Sequence, residues 1–133
     1  MNVFDHYVGI PYLDRGRTIA GCDCYGLLRL VLAELRGLEL PSFSDLYVTA
    51  ADRHAIACLI EGGLEQWDRV APGLEKPFDG VLMRRGREIR HIGVVVERGL
   101  VLHVDCGETS RIERYTLPPL SQRVVGFYRF RQQ

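Results

Sequence analysis

Two patterns predict an α+β fold. The first part of the chain carries apolar residues at helical spacing, whereas from Trp67 onward short runs rich in Val, Ile, Leu, Tyr and Phe alternate with turn residues. Helices followed by strands pack most simply as N-terminal helices on a mostly antiparallel β-sheet of about five to six strands. The chain has 133 residues, 47% of them hydrophobic, enough for one core and few for two, so 1–133 reads as a single domain.

The segment from Val3 to Val8 predicts one or two helical turns, ended by Gly9 and Pro11, and Tyr12 to Cys22 reads as a loop. From Cys24, residues Leu27, Leu28, Val31, Leu32 and Leu35 share one helical face. Asp23 is a natural N-cap, so a helix covers about 23–37 and stops at Gly37, with Pro41 soon after. Ala50 to Leu64, with Ala51, Ala55, Cys58 and Leu59 apolar, predicts a second helix ended by Gly62-Gly63. Five β runs follow: Gly80 to Met83, Ile92 to Glu97, Leu100 to Val104, Ser110 to Tyr115 and Arg123 to Phe130. Turn candidates at Arg85-Gly86, Arg98-Gly99, Cys106-Gly107 and Leu117-Pro118-Pro119 separate them.

Seventeen basic residues balance seventeen acidic ones, so no net field favours nucleic acid or an anionic membrane. Arg84, Arg85, Arg87 and Arg90 cluster at a turn and read as a solvated face, since Glu88 interrupts them and no aromatic residue interleaves for base stacking. Met1 to Tyr12 lacks the pattern of a signal peptide, and no run approaches the ~18 apolar residues of a membrane span. Synthesis in the cytoplasm without a signal peptide is the expectation. Four cysteines are few for a disulfide scaffold, so free thiols are expected.

Cys24 begins its helix, where unpaired N–H groups and the positive end of the helix dipole can lower a thiol pKa from about 8.5 to ~3.5–7.5. A nucleophilic Cys needs a base, and the base needs an orienting group. In a hairpin turning at Arg98-Gly99, His91 and His103 are roughly equidistant from the turn and can be cross-strand neighbours. The simplest arrangement sets both rings on one sheet face against the helix start, with Cys24 as nucleophile, His91 as base and His103 as orienter. Each residue alone has a plainer reading, Cys24 as part of its helix's apolar stripe and each His as a satisfied core or surface residue. The combination carries the argument. Cys22, Cys24, His91, His103 and Cys106 could also supply metal ligands. The Cys22-x-Cys24 spacing lacks the usual two-to-four-residue gap, so no metal or cofactor is expected. Cys22 reads as a loop residue or a reversible disulfide partner, Cys58 as helix core, Cys106 as a turn residue, and His6 and His54 as solvated.

Asp23-Cys24-Tyr25-Gly26-Leu27, followed by His91-Ile92-Gly93-Val94 and His103, resembles the NlpC/P60 cysteine peptidases over nearly the whole chain, Tyr7 to Phe130. The resemblance implies a papain-like fold with a helix-borne Cys and two polar residues on adjacent strands. Pro11-Tyr12 is similar to the family's Pro-Tyr element, which implies that the Tyr12 hydroxyl orients the site or stabilises the oxyanion. Asp79 matches the Asp of a Gly-Asp turn, with a structural role. Tyr25 stands where the family usually has a small Ser, a change expected to reshape the substrate groove. The implied activity is hydrolysis of peptidoglycan stem peptides, such as the D-glutamyl to diamino acid bond. Gly-Cys-Asp-Cys and the absence of a signal peptide or wall-binding module resemble members encoded in phage or prophage tail modules. That implies a virion-associated enzyme acting at the periplasmic cell wall beside other tail-tip proteins. Two alternatives keep the fold: an amidase or acyltransferase, and a structural tail assembly protein.

Overall fold

The computed structural model describes residues 2–40 and 66–131. The chain opens with a 3-10 turn, Val3–Tyr7, in which Asn2 and Asp5 cap each other reciprocally and Phe4 and Tyr7 are buried. Within the segment expected to be a loop lie two very short strands, β1 (Arg17–Thr18) and β2 (Gly21–Cys22), which pair antiparallel. Two residues cannot display a period, so no sequence pattern announces them, and Cys22 is a strand residue rather than a loop residue.

Helix α1 (Cys24–Arg36) has the expected limits. Asp23 accepts a hydrogen bond from the Gly26 N–H at 2.7 Å. At the other end Gly37 adopts the left-handed conformation, and the Gly37 and Leu38 N–H groups return to the Ala33 and Leu32 carbonyls, both at 3.1 Å. Gly26 has to be glycine for a packing reason. A Cβ there would overlap the Gly16 carbonyl oxygen, which crosses close over the helix start.

Six strands form one antiparallel sheet: β3 (Trp67–Val70), β4 (Gly80–Arg85), β5 (Glu88–Glu97), β6 (Leu100–His103), β7 (Arg111–Arg114) and β8 (Val124–Phe130). Their order is β3-β8-β4-β5-β6-β7. β4 to β7 are the expected meander, whereas β8 returns to pair with β4, and β3 covers the outer edge of β8. Trp-Asp-Arg-Val gives β3 a buried-exposed-exposed-buried pattern rather than strict alternation, which is why the run was not resolved in the sequence. Asp79, at the entrance to β4, forms a two-pronged ion pair with Arg129 of β8, each contact 2.8 Å, and accepts the Lys76 N–H. Its role is structural. The second helix expected at Ala50 to Leu64, with His54 and Cys58, lies outside the described residues.

The alternation of the sheet sorts two cores. Ile92, Val94, Val96, Leu102 and Val104 pack with Leu27, Leu28, Val31 and Leu32 of α1. Val81, Met83, Val95, Val101 and Phe127 turn to the other side, under Tyr115 and Leu120. At the end of the sheet where β6 gives way to the turn at Cys106, the segment 10–12 acts as a strap. On one side Tyr12 N–H donates to the Glu108 carbonyl and Ser110 N–H to that of Ile10; on the other, Cys22 N–H donates to the Pro11 carbonyl. The start of α1 is thereby tied to the chain that follows His103.

Asp23 also accepts from the Arg17 guanidinium at 2.8 Å and the Arg15 N–H at 3.2 Å while fully buried. Its loss would remove an N-cap and leave a guanidinium without that partner, so Asp23→Ala is expected to destabilise the fold by about 2–4 kcal/mol in urea unfolding. A change under about 0.5 kcal/mol would show that the cap is dispensable.

Candidate active site

His91 and His103 are fully buried, and His91 Nε2 lies 2.8 Å from His103 Nδ1. The register differs from equal spacing about the turn. Val94 pairs with Leu102 and Val95 with Val101, and a bulge follows before Glu97 meets Leu100. Continued along the strands, this sets His103 level with Gly93 and His91 level with Asp105, so the two rings meet diagonally. Gly93 makes that possible, since a Cβ there would crowd the Val101 side chain, the Leu102 carbonyl and His103 Cβ. The rings do share one sheet face, as expected, but it is not the face beneath α1. His91 pairs with Met83, which belongs to the second core.

Two carboxylates complete the cluster, and neither was singled out in the sequence. His103 Nε2 is 3.0 Å from Glu113 Oε1, and Asp105 Oδ1 is 3.5 Å from His91 Nε2. Asp105 is gripped by three guanidiniums: Arg85 at 2.7 Å, Arg111 at 2.9 Å and Arg123 at 3.4 Å. Arg85 is therefore part of this network rather than a solvated residue. Glu113 also pairs with Arg111. The available signal was alternation: Glu113 faces Val101 across β6 and β7, and Arg111 faces His103.

Burial, and then the proximity of His103, Arg123 and Arg85, holds His91 neutral well below its ordinary range, with Asp105 opposing. Burial likewise lowers His103, again against Asp105. For Asp105 burial opposes ionisation, yet the imidazoles and the guanidiniums of Arg85 and Arg123 keep its carboxyl below the usual carboxylate range. At neutral pH the cluster is thus two neutral rings beside an ionised Asp105. Among the described residues, His91 Nδ1 and Arg111 Nη1 are the buried side-chain nitrogens or oxygens that lack a hydrogen-bond partner.

His91, His103 and Asp105 also offer three ligand atoms within 4.8 Å of one another. The two imidazoles are engaged with each other at hydrogen-bond length, and three guanidiniums already surround Asp105. A divalent cation would enter against those positive charges, so the arrangement suits proton chemistry better than metal ligation.

Cys24 occupies the first position of α1 and is buried and free of disulfide. The strap brings the helix start to the end of the sheet that carries His103 and Asp105. Tyr12 bridges to Cys22, two residues before Cys24, and its hydroxyl donates to Asp14 Oδ1 at 3.1 Å. Cys22, whose Sγ donates to the Thr18 carbonyl at 2.9 Å, has its thiol pushed up to about 12, chiefly by burial and the Asp23 charge. A thiol held protonated in this way is a poor nucleophile at neutral pH. Tyr25 is fully buried, with the Arg17 guanidinium 5.5 Å above its ring. It therefore shapes the packing of the helix start rather than an open groove wall. Cys106 is exposed in a turn, as expected.

The chain thus packs an Asp23-capped helix on an antiparallel sheet that carries two buried, paired histidines. The family model described as "NlpC/P60 family" matches residues 9–129, and the chain belongs to that family. Solved structures share the fold. A lipoprotein-like NLP/P60 protein of Staphylococcus aureus subsp. aureus Mu50 superposes with a TM-score of 0.69 at 14% identity, over 98% of this chain and 41% of that one. The NlpC/p60 domain of the peptidoglycan hydrolase SagA gives 0.58 at 16%, covering 92% and 88%. NlpC2 of Trichomonas vaginalis gives 0.62 at 16%, covering 98% and 44%. The chain thus spans about two-fifths of the S. aureus and T. vaginalis proteins. Comparison with curated sequences finds no match.

Because the fold lowers the proton affinity of both rings, the unfolded chain binds more protons than the native one as pH falls below about 6.5, the ordinary His value. Stability should be level above that pH and decline below it, with a further loss from Asp105 below about 3.9. Urea unfolding from pH 8 to 5 tests this. Stability that holds level down to pH 5 would contradict neutral burial of the two rings.

Proposed function

We propose that the protein is a cysteine peptidase of the cell wall, cutting peptidoglycan stem peptides with Cys24 as nucleophile, His91 as base and His103 as its orienter. The observation that supports it best is the buried, unpartnered Nδ1 of His91 on a ring whose Nε2 is occupied by His103. NlpC/P60 membership points to cysteine peptidase or amidase chemistry, and the fold is shared with a domain described as part of a peptidoglycan hydrolase.

In this reading His91 Nδ1 takes the Cys24 proton and the thiolate attacks the scissile carbonyl carbon. The tetrahedral intermediate collapses as the C–N bond breaks. His91 returns the proton to the leaving amine and a thioester remains on Cys24. Water then attacks the thioester and gives one proton to His91, and the C–S bond breaks to release the acid and regenerate the thiol. N–H groups at the start of α1 are the first oxyanion donors. Tyr12 is the second, a role that requires its hydroxyl to turn from Asp14 toward the substrate. Bonds of the D-glutamyl to diamino acid type are the proposed target. A phage or prophage tail origin, with action at the wall beside other tail-tip proteins, is proposed on the Gly-Cys-Asp-Cys element of the sequence.

Digestion of purified peptidoglycan, read by mass spectrometry of the muropeptides, tests the activity. The wild type should release stem-peptide fragments and Cys24→Ala should release none; equal products from both would refute the assignment. Tyr12→Phe should lower kcat by about 10²-fold with an unchanged melting temperature. An unchanged kcat would remove Tyr12 from the oxyanion site.

A further inference from the structure

We infer that Glu113 sets the tautomers of both histidines and is thereby a positioning residue for the proposed base, an inference that rests on the Cys24–His91 reading above. The argument follows the direction of the hydrogen bonds. Glu113, paired with Arg111, presents a carboxylate that only accepts. The proton between Glu113 Oε1 and His103 Nε2, 3.0 Å apart, therefore belongs to His103 Nε2. A neutral imidazole carries one N–H, so His103 Nδ1 is an acceptor. The contact of 2.8 Å to His91 Nε2 then places the second proton on that nitrogen. His91 Nδ1 is left as a bare lone pair, and it is the ring atom that has no hydrogen-bond partner.

The polarity of this chain originates at Glu113. Two imidazoles in contact can be polarised either way, and without an anchoring acceptor His103 can carry its proton on Nδ1 and donate to His91 Nε2. His91 would then hold its proton on Nδ1, where a base must be bare. Asp105 does not resolve the choice alone. It lies 3.5 Å from His91 Nε2 and 3.9 Å from His103 Nδ1, the two nitrogens that share one proton, so it attracts that proton without deciding its owner. Glu113 reaches the ring atom outside that pair.

Nitrogen-15 NMR of histidine-labelled protein reads tautomers directly and needs neither substrate nor turnover, so its outcome is separate from that of the muropeptide digestion. The wild type should show His91 and His103 both as Nε2–H tautomers at pH 7.5. Glu113→Leu and Glu113→Ala remove the acceptor and should move His91 substantially toward the Nδ1–H form, with kcat lowered about tenfold or more and KM little changed. Glu113→Gln should keep the wild-type tautomers, because the Arg111 Nε–H, which only donates, holds an amide oxygen where Oε1 now sits. β7 is an edge strand and Glu113 is partly exposed, so the three variants are expected to fold. Retention of the Nε2–H tautomer at His91 in Glu113→Leu or Glu113→Ala, or its absence from the wild type, would overturn the inference. Should both apolar variants fail to fold, the wild-type spectrum and Glu113→Gln decide it, and a shift to Nδ1–H in Glu113→Gln also counts against it.

Discussion

The hydrogen bonds on both edges of the Ile10–Tyr12 strap hold the helix start and the end of the sheet in one place. Toward the sheet, Ser110 N–H donates to Ile10, and the Ser110 hydroxyl accepts the Ile10 N–H at 2.8 Å while donating to the Tyr7 carbonyl at 2.5 Å. Toward the helix, the Pro11 carbonyl takes the Cys22 N–H and Leu13 N–H donates back to the Cys22 carbonyl. Without these bonds, the packing of α1 on the sheet would be left to set the distance between the helix start and the end of β6. The proposed site, with Cys24 at one end and His91 and His103 at the other, needs a tighter constraint than packing. Asp23 completes it by fixing the helix start to Arg17 and to the Arg15 N–H.

Within that frame the sheet separates packing from chemistry by alternation. Ile92, Val94 and Leu102 go under the helix, while His91 and His103 go to the other side, where Asp105, Glu113 and three arginines meet them. Burial makes the rings reluctant to ionise, and the carboxylates supply the negative charge that a second histidine alone would not. This bears on the proposed Cys-His-His arrangement. In that proposal His103 alone is a weak orienter, but with Glu113 behind it the chain of donors ends on a carboxylate, as a Ser-His-Asp triad does one residue sooner.

The sequence made much of this legible. Residues Leu27 to Leu35 spell the helix and Asp23 and Gly37 its ends, and the runs between glycine turns spell the meander. What it could not display has physical reasons. β1 and β2 are too short for a period, and β3 has charges at both central positions. The hairpin register depends on a bulge between Val95 and Glu97, which shifts the pairing so that His91 aligns with Asp105. Arg85 reads as a solvated charge and Glu113 is not singled out, because Asp105 and His103, which they contact, are 20 and 10 positions away in sequence. Tyr25, expected to reshape the substrate groove, is fully buried with the Arg17 guanidinium over its ring.

The central claim, that the histidine pair delivers an unprotonated Nδ1 to the Cys24 thiol, is tested most directly by the pH dependence of alkylation at each cysteine, followed by peptide mapping. Cys24 should react with iodoacetamide well below the pH at which Cys22 reacts, and His91→Ala should abolish that reactivity while leaving Cys22 and Cys106 unchanged. A Cys24 profile that is the same with and without the His91 ring would contradict the account.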